Sequence, residues 1–242
     1  MSSTSGILSP LDIRTCIFLE NHAVGVGDND AGGYGGGIFI EDQAMHMHDT
    51  EMSLNWVGTN GMFSDISSAG GAIWCSSQGD SQISYSRIHD NFVVGGFGGG
   101  LYTTDSTGLV VSDSSIMYNV ALSSYTLHGQ GGGMFIGHQS NISVVNCTII
   151  SNLAMPRIDN SDTAPLTYSG YGGGMFVQTA IVNVTDSQFI NNIVYTGQFD
   201  SGAGGGGVVL EDTYGSNFKR CEFVYNGAQG YSGYSQYASS GA

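Results

Sequence analysis

Two histidines one residue apart are the first candidates for chemistry. In "EDQAMHMHDTE" (41–51), His46 and His48 stand among Glu41, Asp42, Asp49 and Glu51. Alternate residues of an extended segment point to one side, so the two imidazoles form a candidate metal-ligand pair. A polar loop insertion is the competing reading. In "GDNDAGG", Asp28, Asn29 and Asp30 place oxygens on a glycine-rich loop. Calcium suits such donors. The twelve-residue calcium-loop spacing is missing, and a plain turn explains the same residues. No other cofactor is expected. The carboxylate pairs Glu41–Asp42 and Glu211–Asp212 have the residue types of a general acid and base. Such pairs also mark solvated loops, and the basic residues Arg14, Arg87, Arg157, Lys219 and Arg220 are scattered along the chain. A polysaccharide-active enzyme is therefore the third reading of function, and no catalytic residue is assigned.

The four cysteines, Cys16, Cys75, Cys147 and Cys221, have neither CxxC nor zinc-like spacing. Buried free thiols are the plain reading, with a disulfide framework or a metal site as alternatives. Asn141-Ile-Ser, Asn146-Cys-Thr and Asn183-Val-Thr fit the N-glycosylation acceptor pattern. Glycans there would require a eukaryotic, secreted protein.

The elements that hold these residues follow from composition and periodicity. The 242 residues include 39 glycines but only 3 prolines, and 40% of them are hydrophobic. That is enough for one large domain over 1–242, and it argues against disorder. The net charge is −15, from 5 Lys+Arg against 20 Asp+Glu. Such a surface repels nucleic acid and anionic membrane, both of which need cationic contacts. No apolar run is long enough for a transmembrane helix. The opening "MSSTSGILSP" lacks the basic and apolar regions of a signal peptide. A cytosolic protein, a mature form and an internal segment are all compatible with that start.

An asparagine recurs after apolar or hydroxyl-rich stretches: Asn21, Asn60, Asn91, Asn119, Asn152, Asn192 and Asn226, at spacings of 39, 31, 28, 33, 40 and 34. Apolar residues stand three and eight positions before each, and a small or polar residue stands five before. A second anchor interleaves with it: GGGIFI, GGAIWC, GGGLYT, GGGMFI, GGGMFV and GGGVVL. From the third residue of each triplet to the next asparagine is 23, 19, 19, 19, 18 and 19 residues. The other arc is more variable, as in a solenoid whose loops project from one side. Within the fixed arc, "NISVV" and "GLVVSDS" alternate at period two, and helix signals are absent.

The expected fold is all-β: a parallel β-helix of about seven rungs. Each rung should carry about three short strands, with variable loops on one side. Glycines allow positive φ at one corner. Asparagines at another bond to the next rung as a ladder. Seven rungs at ~4.8 Å make a rod roughly 34 Å long. Cys16, Cys147 and Cys221 share one inward column but never in adjacent rungs, and rungs two apart are ~10 Å apart, too far for a disulfide.

The pairing of Gly-Gly-(Ala/Gly)-apolar with Phe-x-x-Asn resembles the polymorphic outer-membrane-protein repeat. FLEN (18–21), FINN (189–192), FVYN (223–226) and GGAI (70–73) carry the likeness. Four repeats have valine or isoleucine in place of phenylalanine, and most triplets are GGG. The resemblance implies a right-handed, pectin-lyase-like coil and a surface or secreted protein used in adhesion or a cell coat.

Tyrosines cluster in the variable arcs, and Tyr168, Tyr171, Tyr231 and Tyr234 form a candidate loop binding face for glycans or surface proteins. Packing of those tyrosines on the coil is the alternative. Neither end shows a cap, so unpaired strand edges are expected there. The chain is then a piece of a longer coil or a protomer that stacks on itself head to tail. The leading expectation is a non-enzymatic extracellular structural protein, a β-helical building block of a filament or coat. An adhesin or glycan-binding module is second.

Overall fold

A computed structural model describes residues 9–25, 32–59, 68–123, 128–156, 169–195 and 204–229. These residues contain strands, turns and bends but no helix. Every strand pairing is parallel, and each strand stacks on its equivalent one turn of the chain away. The fold is a parallel β-solenoid of about seven rungs.

A rung contains more strands than the sequence suggests. Five stacked sheets occur in place of three. Sheet I runs from Leu11–Arg14 to Asn217–Lys219, sheet II from Ile17–Leu19 to Glu222–Val224, and sheet III from His22–Gly25 to Gly227–Gln229, with seven strands each. Sheet IV has four two-residue strands, from Ser68–Ala69 to Gly170–Tyr171, extended by single bridges at Tyr34 and Gly204. Sheet V has six strands, from Ile38–Glu41 to Val208–Glu211, and they are the apolar triplets behind the glycines. The triplet is itself a strand because its residues alternate between core and surface. Ile73 and Cys75 are buried while Trp74 is half-buried.

The main core fills the space between sheets I, II and V. Its columns are Ile13–Met47–Ile83–Val111–Val144–Val184–Phe218, then Phe18–Met52–Ile88–Ile116–Ile149–Phe189, then Ile38–Ile73–Leu101–Met134–Met175–Val208. In-register stacking keeps every inward position inward, since a one-residue slip would turn the whole column to solvent. Sheets III and IV enclose a thinner annex of small side chains, including Val57, Val93 and Ala121. In chain order, the longest connections fall between sheets III and IV.

Two of the corners carry a left-handed residue in every rung, and in neither is it a glycine. One set is Thr15, Asp49, Tyr85, Asp113, Asn146, Asp186 and Arg220, with φ between 48° and 53°. The other is Glu20, Leu54, Asp90, Tyr118, Ser151, Asn191 and Tyr225, with φ between 52° and 56°. Asp and Asn tolerate this region; Leu54 and the tyrosines hold it only because the flanking ladders over-determine the turn.

Candidate functional site

The asparagine column stands at the corner between sheets II and III, directly after the second set of left-handed residues. Asn119 shows the unit. Its Nδ2 donates to Asn152 Oδ1 at 3.0 Å and to the Ile88 carbonyl at 2.9 Å. Its Oδ1 accepts from Asn91 Nδ2 at 2.9 Å and from the Asn91 backbone N–H at 3.1 Å. One side-chain amide thus uses two donors and two acceptor sites, its full capacity. The amide-to-amide bond repeats at every junction from Asn21 to Asn226. In the second rung the ladder residue is Asn55, which corrects the assignment to Asn60. Asn60 lies outside the described residues, while Asn55 Nδ2 donates to Asn91 Oδ1 at 2.9 Å. "MSLNWVGTN" offers two asparagines, each three residues after an apolar side chain. The arc length separates them: from Gly37 to Asn55 is 18 residues, in line with the other arcs, where 23 to Asn60 was not. The arc holding the two histidines is therefore not elongated.

A hydroxyl and thiol column runs parallel to the amides. Ser86 Oγ donates to the Ser84 carbonyl at 2.8 Å and accepts the Thr50 N–H at 3.2 Å. Cys147 occupies the same column, and its N–H donates to Ser187 Oγ at 3.1 Å. Thr50 fills the second-rung place, in place of Asn55. All four cysteines are free. Burial pushes the Cys75 and Cys147 thiols up to about 11. At pH 8 the reactive thiolate is then on the order of one molecule in a thousand. Cys75 and Cys147 should stay unlabelled by an alkylating reagent in the native protein and react only after denaturation. Mass spectrometry of the labelled peptides checks this, and rapid native labelling of either would contradict the packing.

The histidine pair lies where alternation places it, on the outer face of the strand Met45–His48. Each ring is already engaged: His46 Nε2 lies 3.0 Å from the Asp80 carbonyl oxygen, and His48 Nδ1 lies 3.0 Å from Ser84 Oγ. Among the described residues no three His, Cys, Asp or Glu side chains gather as ligands. Asp28 and Asp30 lie outside the described residues.

Two sequon asparagines fall on the outer side of sheet I in the fifth and sixth rungs, and the third at the corner after it. Asn141 opens the strand Asn141–Val145 and is exposed. Asn183 is half-buried in the outward column between Ser143 and Asn217. Asn146 is an exposed corner residue whose Nδ2 donates to Asp113 Oδ1 at 2.8 Å. Beside it a shallow cavity of about 350 Å³ is lined by Thr148, Asp186, Gln188, Arg220 and Glu222. Arg220 there grips Asp186 through Nε at 2.5 Å and Nη2 at 2.6 Å. That guanidinium holds the Asp186 carboxyl below the usual carboxylate range. The bidentate pair links the sixth and seventh rungs.

Of the tyrosine face, Tyr168, Tyr231 and Tyr234 lie outside the described residues. Tyr171 is half-buried, with its ring edge-on to Phe176 at 6.3 Å and to His128 at 4.9 Å. The sequence reading missed a more regular aromatic array. Phe39, Trp74, Tyr102, Phe135 and Phe176 stack along the outer face of sheet V with centroids 4.5, 6.2, 5.0 and 5.5 Å apart. Their planes lie within 9–16° of one another. The signal was the aromatic at the second place of five successive triplets. Because the ring faces cover each other, they are not presented to a sugar; the column reinforces stacking. The outer side of sheet III is also apolar over Phe92, Val94, Val120, Leu122, Leu153 and Met155, all half-buried.

Fold and ladders together define a parallel β-solenoid protein with an asparagine ladder. No protein-family model, curated protein or solved structure matches the chain.

Proposed function

We propose that this chain is a non-enzymatic structural protein of the extracellular space, a β-helical building block of a surface filament or coat that joins end to end. The observation that carries this reading is the use of the polar side chains. Buried amides and hydroxyls make rung-to-rung hydrogen bonds along the whole described coil, so the chemistry of the sequence serves stacking. Outward-facing sequons and a net charge of −15 support an extracellular, soluble surface. Kinship with the polymorphic outer-membrane-protein repeat, and its right-handed coil, belong to the same proposal. FLEN, FINN and FVYN support it, because each ends at a ladder asparagine.

Negative-stain electron microscopy across a concentration series tests the reading. Filaments that lengthen with concentration are expected, with an axial repeat of ~34 Å per chain. Isolated short particles at every concentration would sink it.

A further inference from the structure

The ladder has a direction, and its two ends are chemically different. At each internal junction the asparagine nearer residue 1 donates twice, through N–H and Nδ2, to the Oδ1 of the next. The later asparagine returns a donation to a carbonyl of the earlier rung, as Asn226 Nδ2 does to the Phe189 carbonyl at 2.7 Å. At the last described rung, Asn226 N–H, the second Nδ2 hydrogen and the Phe223 carbonyl have no such partner among the described residues. At the first rung the unmatched groups are Asn21 Oδ1 and its second Nδ2 hydrogen. One end offers two donors and an acceptor; the other offers the acceptor and the donor that fit them.

We propose that Asn226 of one copy donates to Asn21 of a second copy, extending the ladder across a polar, head-to-tail joint. This rests on the structural reading above and adds its chemistry and direction. The strands that meet are Asn217–Lys219 with Leu11–Arg14, Glu222–Val224 with Ile17–Leu19, and Gly227–Gln229 with His22–Gly25. All three pairs continue the register of their own sheets. The last-rung face also bares core. Phe223 is 40% exposed, whereas Phe189, one rung inside in the same column, is 0% exposed. The first-rung face is more closed, since Ile13, Ile38 and Ile40 are buried. On that side the joint depends mainly on strand edges and the amide. Two forces oppose it: Lys219 meets Arg14 in one outward column, and each copy carries −15. Joining should therefore strengthen as salt screens these charges, with a Debye length of about 10 Å at 0.1 M.

The test uses the full chain in three forms: parent, Asn21→Leu and Asn226→Leu. Sedimentation velocity is recorded at 50 mM and 500 mM NaCl. The parent should form chains, more so at the higher salt. Each variant alone should remain single, because every joint needs one altered face. An equimolar mixture should stop at dimers, through the unaltered last face of Asn21→Leu and the unaltered first face of Asn226→Leu. Fraying of an altered rung does not reach the face six rungs away, so the mixture reports even if that rung loosens. Parent chains with either variant still growing, or with a mixture that stays single, overturn the polar joint. A parent that never grows overturns the structural reading itself.

Discussion

Gly132→Ala should cost the solenoid more than about 3 kcal/mol, well beyond an ordinary surface change. A Cβ at Gly132 would lie 2.5 Å from the Gly173 carbonyl oxygen and 2.5 Å from both the carbonyl carbon and oxygen of Leu153. All three are backbone atoms fixed by stacking, so no side chain can swing away. The triplet's first glycine has a different reason: Gly131 has φ of 66°. At the third, Gly133, a Cβ would lie 2.6 Å from the Gly174 carbonyl oxygen and 3.0 Å from the Asn152 amide. Rung two carries Ala72 at that third place, so it is the more permissive of the two close-approach sites. Gly79→Ala is the control. Its Cβ would meet only Ala44 Cβ at 3.6 Å, an ordinary contact, and the effect should stay within about 0.5–1 kcal/mol. Urea denaturation of both variants decides the matter. A loss below about 1 kcal/mol for Gly132→Ala would show that the rungs do not approach as closely as the structure has them.

These two glycines also show how much of the fold could be read in advance. The triplets were visible because three adjacent positions each crowd a Cβ, the first two most strictly, and the whole set recurs. The asparagine column was visible because no other short side chain both donates twice and accepts twice in that geometry. The register of rung two was harder to read, because Asn55 and Asn60 satisfy the same local pattern and only arc length separates them. Sheet IV escaped notice for a related reason: two-residue strands such as Gly96–Phe97 are too short for any alternation. The left-handed residues before the ladder asparagines were illegible, since residues as unlike as Leu54, Asp90 and Tyr118 adopt the same positive φ there. At those corners the neighbouring ladders choose the conformation, and the sequence at the position says little. The candidate site fared the same way. Alternation correctly put His46 and His48 on one face, but only three-dimensional stacking shows that each is taken up by the adjoining rung.

Asn119→Leu should be the most damaging single change in the ladder, while Asn21→Leu should be mild. At position 119 the amide is fully buried, and its removal strands two donors: one Asn91 Nδ2 hydrogen and the Asn91 N–H. Both donors are buried, and each unsatisfied buried group costs about 1–3 kcal/mol, so a loss of about 2–6 kcal/mol is expected. Asn152 Oδ1 fares better, because the backbone N–H of residue 119 still donates to it at 3.0 Å. Leucine adds apolar surface, but it restores none of the lost donors or acceptors. At position 21 the amide is half-buried and receives nothing from an earlier rung. Its replacement removes one donation, the 2.8 Å bond to Asn55 Oδ1, while the Asn21 N–H continues to serve that oxygen at 3.1 Å. The cost there should be about 1 kcal/mol. The same substitution thus separates two accounts of the column. If asparagine matters as a local turn residue, both variants lose alike. If it matters as a link between rungs, the loss follows the number of partners, and position 119 suffers several times more than position 21. Denaturant midpoints measured at one protein concentration, below any self-association, give the comparison. Equal losses would leave the ladder as geometry without energetic weight.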